Sequence, residues 1–169
     1  MTPTEQLDRL LLERSVQRGE FTLSSGLTSS YYLDCRPTTM SAEGLSLIGA
    51  LGLEAIRNSG WQADAVGGLT MGADPVAYAV AAASWKAQPA LDAFSVRKEA
   101  KGHGMKRRVE GNFRTGARVV VTEDVITTGG STKDGQWMKL NGIGGDRADG
   151  LYLKNFTIEL FEFNAIYIL

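Results

Sequence analysis

The residues with the most chemical promise stand together in "VVVTEDVITTGGST", Val119 to Thr132. An apolar run that reads as a buried strand stops on Glu123 and Asp124. Two adjacent carboxylates at the carboxyl end of such a strand have no packing use, so something cationic or hydroxylic is expected opposite them. The following Thr127, Thr128, Gly129, Gly130, Ser131 and Thr132 offer hydroxyls and backbone N–H groups in a loop, the composition of a phosphate cradle. Together the two halves describe a ligand with both a phosphate and sugar hydroxyls. A Walker loop is excluded here because no Gly-Lys-Ser/Thr follows, and the Gly-x-Gly-x-x-Gly dinucleotide pattern is absent. The plain alternative, a strand ending in a polar turn, leaves the paired acids without a purpose.

The elements that must position these groups follow from periodicity. Leu7, Leu10, Leu11 and Leu12, with Val16 further on, predict a first amphipathic helix that stops before "RGE". "FTLSSGLTSSYYLDCR" alternates apolar and polar residues around a Ser/Gly turn, which predicts a hairpin or two short strands. Leu45, Ile48, Leu51, Leu53 and Ile56 lie on a second helix that Gly60 closes. "ADAVGGLTMGADP" is a short strand running into a glycine-rich loop, and "PVAYAVAAASWKA" opens a helix with proline at its first position. "ALDAFSVRK" and "ARVVVTED" are strands, whereas "EAKGHGMKRRVEGNF" has no periodicity, three glycines and dense charge, so it reads as a loop. Strands separated by helices give an α/β fold with a mostly parallel sheet flanked by helices. Ligands in such sheets sit outside the carboxyl ends of the strands. Both glycine-rich stretches and the basic loop follow strands, so three distant segments are expected to converge on one crevice.

The bulk composition narrows the classes. At 169 residues and 43% hydrophobic content, one domain with a sizeable core is expected. No apolar run approaches the ~20 residues of a membrane span. The acidic start "MTPTEQLDRLLLERS" lacks a signal-peptide layout, so the expected compartment is the cytoplasm. A single cysteine, Cys35, cannot form an internal disulfide and reads as a half-buried filler on a strand. The 18 basic and 19 acidic side chains nearly cancel, so no general field attracts nucleic acid and any bound anion must be met by local groups.

"VVVTEDVITTGGST" resembles the phosphoribosyl-diphosphate signature of the type I phosphoribosyltransferases. "FTLSSGLTSSYYLDCR" and "FSVRKEAKGHGMKRRVEG" are similar to the orotate branch of that family, and the likeness runs from about Leu7 to Thr132. The resemblance implies transfer of phosphoribosyl from phosphoribosyl diphosphate to orotate, on a type I phosphoribosyltransferase-like sheet with a small N-terminal hood over residues 1–40. It also implies Mg²⁺ and a homodimer that shares the loop 98–109 across its interface, with no nucleic acid or membrane partner. Arg97, Lys98, Lys101 and His103 match the family's "RK-x-x-K-x-H-G" pattern. Lys101 and His103 are implied to close over the diphosphate and neutralise its growing charge, with Gly102, Gly104 and Gly111 as hinges. The backbone from Leu69 to Ala73 is expected to meet the diphosphate. Glu123 and Asp124 are implied to hold ribose hydroxyls, with Asp124 counted beside Lys101 and His103 as catalytic, and Thr127, Thr128, Gly129, Gly130, Ser131 and Thr132 are implied to wrap the 5′-phosphate. No protein metal ligand is expected, because Mg²⁺ uses substrate oxygens and water. Tyr31 and Tyr32 are candidate walls for a planar pyrimidine, half-buried core being the plain alternative. The lysine often found near "L-x-S-G" is missing, since Ser24, Ser25, Gly26 and Leu27 stand there.

After Thr132 the likeness decays. Glycines at 135, 142, 144, 145 and 150 argue against a long regular helix, so residues 133–169 form an atypical part of the single domain 1–169. Asp146 and Arg147 look like the family's Asp-Arg pair, whose arginine is implied to contact the orotate carboxylate, although they arrive early. A purine-type transferase and a phosphoribosyl-diphosphate-binding regulator are the rival readings. The first would lack "RKEAKGHG", and the second should show a basic face.

Overall fold

The computed structural model describes residues 1–22, 26, 28–97 and 108–124. Helix α1, Pro3–Arg14, begins with a capping box in which Thr2 Oγ1 accepts from the Glu5 N–H and Glu5 Oε2 accepts from the Thr2 N–H. Leu7, Leu10 and Leu11 turn inward, while Leu12 stays exposed. Val16 does not extend the helix. Ser15 ends it, with its N–H on the Leu11 carbonyl, and Val16 opens strand β1, Val16–Thr22, which takes in "RGE". Strand β2, Thr28–Leu33, pairs antiparallel with β1, so the expected hairpin forms, but its first strand begins at Val16, five residues before the stretch that predicted it.

A one-turn helix α2, Arg36–Thr39, follows without any forewarning from periodicity. Cys35 is its N-cap residue and is 3% exposed among Leu7, Leu11 and Ile48, so it is fully buried at a helix start rather than half-buried on a strand. Helix α3, Ala42–Asn58, starts where Ser41 Oγ accepts from the Gly44 N–H at 3.0 Å, and Gly60 at φ 77° closes it.

The main sheet is built from β3, Ala65–Leu69; β4, Asp92–Val96; β5, Val109–Gly111; and β6, Val119–Thr122. Its order is β5-β4-β3-β6, with β3 parallel to both β4 and β6 and β5 antiparallel to β4. The mostly parallel sheet is therefore as expected, and the end of the supposed loop, Val109–Gly111, is a short edge strand. Helix α4, Ala73–Lys86, connects β3 to β4, and Pro75 is its third residue rather than its first. Proline is tolerated there because the first-turn N–H groups have no intrahelical partner.

One face of the sheet buries Val66 and Val120 against Leu53, Ile56, Ala77 and Val80 of α3 and α4. The other packs Ala65, Phe94 and Val96 with Val119, Val121 and Phe113, whose ring lies 5.6 Å from that of Phe94. Each of the larger side chains here, valine, leucine, isoleucine or phenylalanine, contributes ~1.5–3 kcal/mol when fully buried. The pairing Ala65↔Val119 through Gly68↔Thr122 makes β3 and β6 end almost level, so the chain beyond each emerges side by side.

Gly68 is the tightest point of that register. A Cβ there would run into the Thr122 carbonyl oxygen and the Ala73 methyl group, neither of which can rotate away. Replacing a strand glycine by alanine favours folding by ~0.5–1 kcal/mol, but overpacking a rigid site costs ~1–3 kcal/mol. Gly68→Ala is therefore expected to lower stability by about 1–2 kcal/mol, read as a lower urea midpoint with an unchanged slope.

Candidate active site

Beyond Leu69 the chain keeps contact with β4 for one more residue, the Thr70 N–H donating to the Val96 carbonyl at 2.9 Å. Thr70 and Met71, joined by a cis peptide, and Gly72 make the turn, and α4 begins at Ala73. Beside this turn β6 runs out into Glu123 and Asp124, both half-buried. A Cβ on Gly72 would collide with Asp124 Oδ1, with Asp124 Cγ at 2.7 Å and Glu123 Oε1 at 3.0 Å. The two carboxylates thus lie against the backbone of the turn, next to the positive end of the α4 dipole, which favours negative charge. Carboxylate acceptors and turn amides stand side by side, the combination that a ligand with hydroxyls and an anionic group requires.

The hood borders the same acids. The Cys35 thiol is pushed up to about 12, chiefly by burial and further by the charges of Asp124 and Asp34. Asp34 grips Arg36 three times: Oδ1 accepts from Nε at 2.7 Å and from the Arg36 N–H at 3.1 Å, and Oδ2 accepts from Nη2 at 2.8 Å. Those bonds hold the Asp34 carboxyl below its ordinary range against the opposing effect of burial, and they fix the guanidinium at an exposed position. As a surface pair it orients more than it stabilises. Tyr32 is half exposed, its ring 5.6 Å from that of Phe21, and Tyr31 points to the other face of the hairpin.

Arg97 sits at the carboxyl end of β4, with β3 between it and the acids that follow β6. Its N–H donates to the Arg108 carbonyl at 2.9 Å, Arg108 Nε donates back to its carbonyl at 3.0 Å, and its own Nε donates to Glu110 Oε1 at 3.1 Å. The structure therefore brings Leu69 to Ala73 together with Glu123 and Asp124, and engages the Arg97 side chain with Glu110 on β5. Lys98, Lys101, His103, Thr127, Thr128, Gly129, Gly130, Ser131, Thr132 and Arg147 lie outside the described residues. Among the described residues no group of three His, Cys, Asp or Glu is placed to hold a metal, and no helix is long and apolar enough to cross a membrane. Sequence reading did not foresee the pairing of Asp34 with Arg36. It also missed Asp74, whose partner Ser95 comes from a distant segment.

No family model matches the chain. The chain is 47% identical over 134 residues to the orotate phosphoribosyltransferase of Aquifex aeolicus (strain VF5), a match covering 78% of this chain and 72% of that protein. The chain belongs to the orotate phosphoribosyltransferase family. It is also 51% identical over 126 residues to the orotate phosphoribosyltransferase of Corynebacterium glutamicum (strain R), covering 75% of this chain and 66% of the relative, just under two thirds of that protein's length. The crystal structure of Mycobacterium tuberculosis H37Rv orotate phosphoribosyltransferase with Fe(III) dicitrate aligns at 45% identity and a TM-score of 0.67, over 77% of this chain and 71% of the other. The structure of the same enzyme with 5-phospho-α-D-ribosyl 1-diphosphate aligns at 40% identity and a TM-score of 0.61, over 77% and 69%. The expected type I phosphoribosyltransferase fold is thereby established.

The buried thiol beside the acids gives a pH signature. Its folded value of about 12 stands above the usual 9.0, so between those limits the native chain keeps a proton that the unfolded chain releases. Stability is expected to fall as pH rises through that window, by up to ~1.4 kcal/mol per pH unit, and Cys35→Ala should flatten the decline. A thiol reagent near pH 8 is expected to leave the native chain unmodified and to label it once guanidinium chloride unfolds it.

Proposed function

We propose that the chain transfers the phosphoribosyl group from phosphoribosyl diphosphate to orotate, giving orotidine 5′-monophosphate and diphosphate. The observation that carries this reading is the contact of Glu123 and Asp124 with the Gly72 turn. Carboxylates there would accept hydrogen bonds from the ribose hydroxyls while the amides from Leu69 to Ala73 meet the diphosphate. The relative from Mycobacterium tuberculosis crystallised with phosphoribosyl diphosphate supports the same ligand.

In this mechanism the bond between ribose C1 and the diphosphate oxygen breaks, the bond from C1 to orotate N1 forms, and the N1 proton is released. Negative charge grows on the leaving diphosphate, where preorganised amide donors act most strongly. Lys101 and His103, with Arg97 and Lys98, would add cationic donors to that group and exclude water from a carbon that water would otherwise attack. The acids hold the sugar in line and place negative charge beside the cationic carbon. Thr127 to Thr132 would cradle the 5′-phosphate, Arg147 would meet the orotate carboxylate, and the exposed face of Tyr32 suits a wall for the pyrimidine. Mg²⁺ would enter as a complex with phosphoribosyl diphosphate and would help neutralise the leaving group, with no residue of this chain assigned as its ligand. The working unit is a homodimer in the cytoplasm, with the loop 98–109 of one subunit reaching the other's site.

Loss of orotate absorbance with phosphoribosyl diphosphate and Mg²⁺, run beside uracil and adenine, tests the reading. Orotate alone should be consumed. Consumption of adenine would instead mean a purine-type transferase, and binding of phosphoribosyl diphosphate with no base consumed would mean a regulator. Asp124→Asn removes one charge-assisted hydrogen bond of ~1.5–3 kcal/mol and should weaken phosphoribosyl diphosphate binding roughly tenfold to hundredfold by calorimetry. Mixing Lys101→Ala chains with Asp124→Asn chains, each impaired alone at limiting phosphoribosyl diphosphate, should raise activity above that of either, since a hybrid dimer contains one site with both residues intact. No recovery despite confirmed subunit exchange would confine each loop to its own site.

A further inference from the structure

We propose that Asp74 is a positioning residue that holds the Thr70–Gly72 turn in the shape that receives diphosphate, an inference that rests on the function proposed above. Asp74 is the second residue of α4 and is half-buried. Its Oδ2 accepts from Thr70 Oγ1 at 2.5 Å and its Oδ1 accepts from Ser95 Oγ at 2.7 Å. Ser95 has one hydroxyl hydrogen and directs it to Asp74, so in the 2.6 Å contact between Tyr78 and Ser95 the tyrosine O–H is the donor. A directed chain therefore runs from Tyr78 to Ser95 to Asp74, where Thr70 meets it from the other side. It ties the first two turns of α4 and the end of β4 to the turn itself.

The chemistry explains why a carboxylate is needed. Only an ionised carboxylate accepts from two hydroxyls on separate oxygens without also demanding an acceptor. Such bonds are charge-assisted and short. A bare acid in this place would repel a diphosphate, whereas one that accepts a hydroxyl on each oxygen has part of its charge answered. Thr70 is held twice over, through its hydroxyl on Asp74 and its N–H on the Val96 carbonyl. The amides that follow it, at Met71 and Gly72, inherit that fixed direction.

The test measures inorganic diphosphate and phosphoribosyl diphosphate binding by calorimetry for the parent, Asp74→Ala, Thr70→Val and the double variant, with Asp74→Asn as the conservative change. Thr70→Val keeps the volume and so guards against a simple folding failure. Each single variant should weaken both ligands roughly tenfold, the loss of one charge-assisted bond. The double variant should be no worse than the weaker single, Asp74→Asn should fall between parent and Asp74→Ala, and the KM for orotate should hold. Hydrogen exchange without ligand should quicken at Met71 and Gly72. Parent-like binding in Asp74→Ala and Thr70→Val, additive losses in the double variant, or orotate KM rising in step would overturn the inference. A parent chain that binds no phosphoribosyl diphosphate would overturn the proposed function and this inference with it, whereas a binding parent with unaffected variants overturns the inference alone.

Discussion

Gly72 passes so near Glu123 and Asp124 that no methyl group fits between the turn and the acids, and the arrangement of the sheet can be followed outward from that contact. For the turn to meet the acids, β3 and β6 must be neighbours, parallel and level at their carboxyl ends, which their pairing provides. For the turn to stay short, α4 must begin at once, and Ala73 does so against Gly68. Two adjacent carboxylates repel each other, and the helix start and turn amides beside them supply the compensating positive field.

The energy that maintains this placement comes from elsewhere. Val66 and Val120 lock β3 and β6 onto α3 and α4, and surface ion pairs such as Arg9 with Glu43 add little. Within the hood, α1, α2 and the end of the hairpin are joined by a buried polar stitch. Thr38 Oγ1 donates to the Leu10 carbonyl at 3.1 Å, so Ser15 Oγ donates in its 2.7 Å bond to Thr38, while the Asp34 N–H reaches the Ser15 carbonyl. Both hydroxyls are buried, and breaking the stitch would leave them without water to replace the bond.

The regular apolar period of α3, the valine run of β6 and the alternation of β2 were enough to find those elements, whereas most of β1 lies where the sequence showed no strand pattern. The acids at the end of β6 were legible for the same reason, since a carboxylate pair closing a valine run contributes nothing to the core and so points to a ligand. Short elements escaped: α2 is one turn and β5 three residues, too few for any period to register. Val16 misled because it continues the helical spacing of Leu12, whereas Ser15 ends the helix and turns the chain into the hairpin. The Asp74 network was invisible in principle. Its members are 4 and 21 residues apart, and only the pairing of β3 with β4 brings Ser95 to the helix start.

The paired bonds between Arg97 and Arg108 carry a geometric consequence. They bring Arg97 and Arg108 to practically one point although ten residues separate them in sequence. Because β4, β3 and β6 run parallel, that point lies on the same edge of the sheet at which Glu123 and Asp124 emerge, so one rim of the fold carries anchored guanidinium groups and carboxylates with β3 between them.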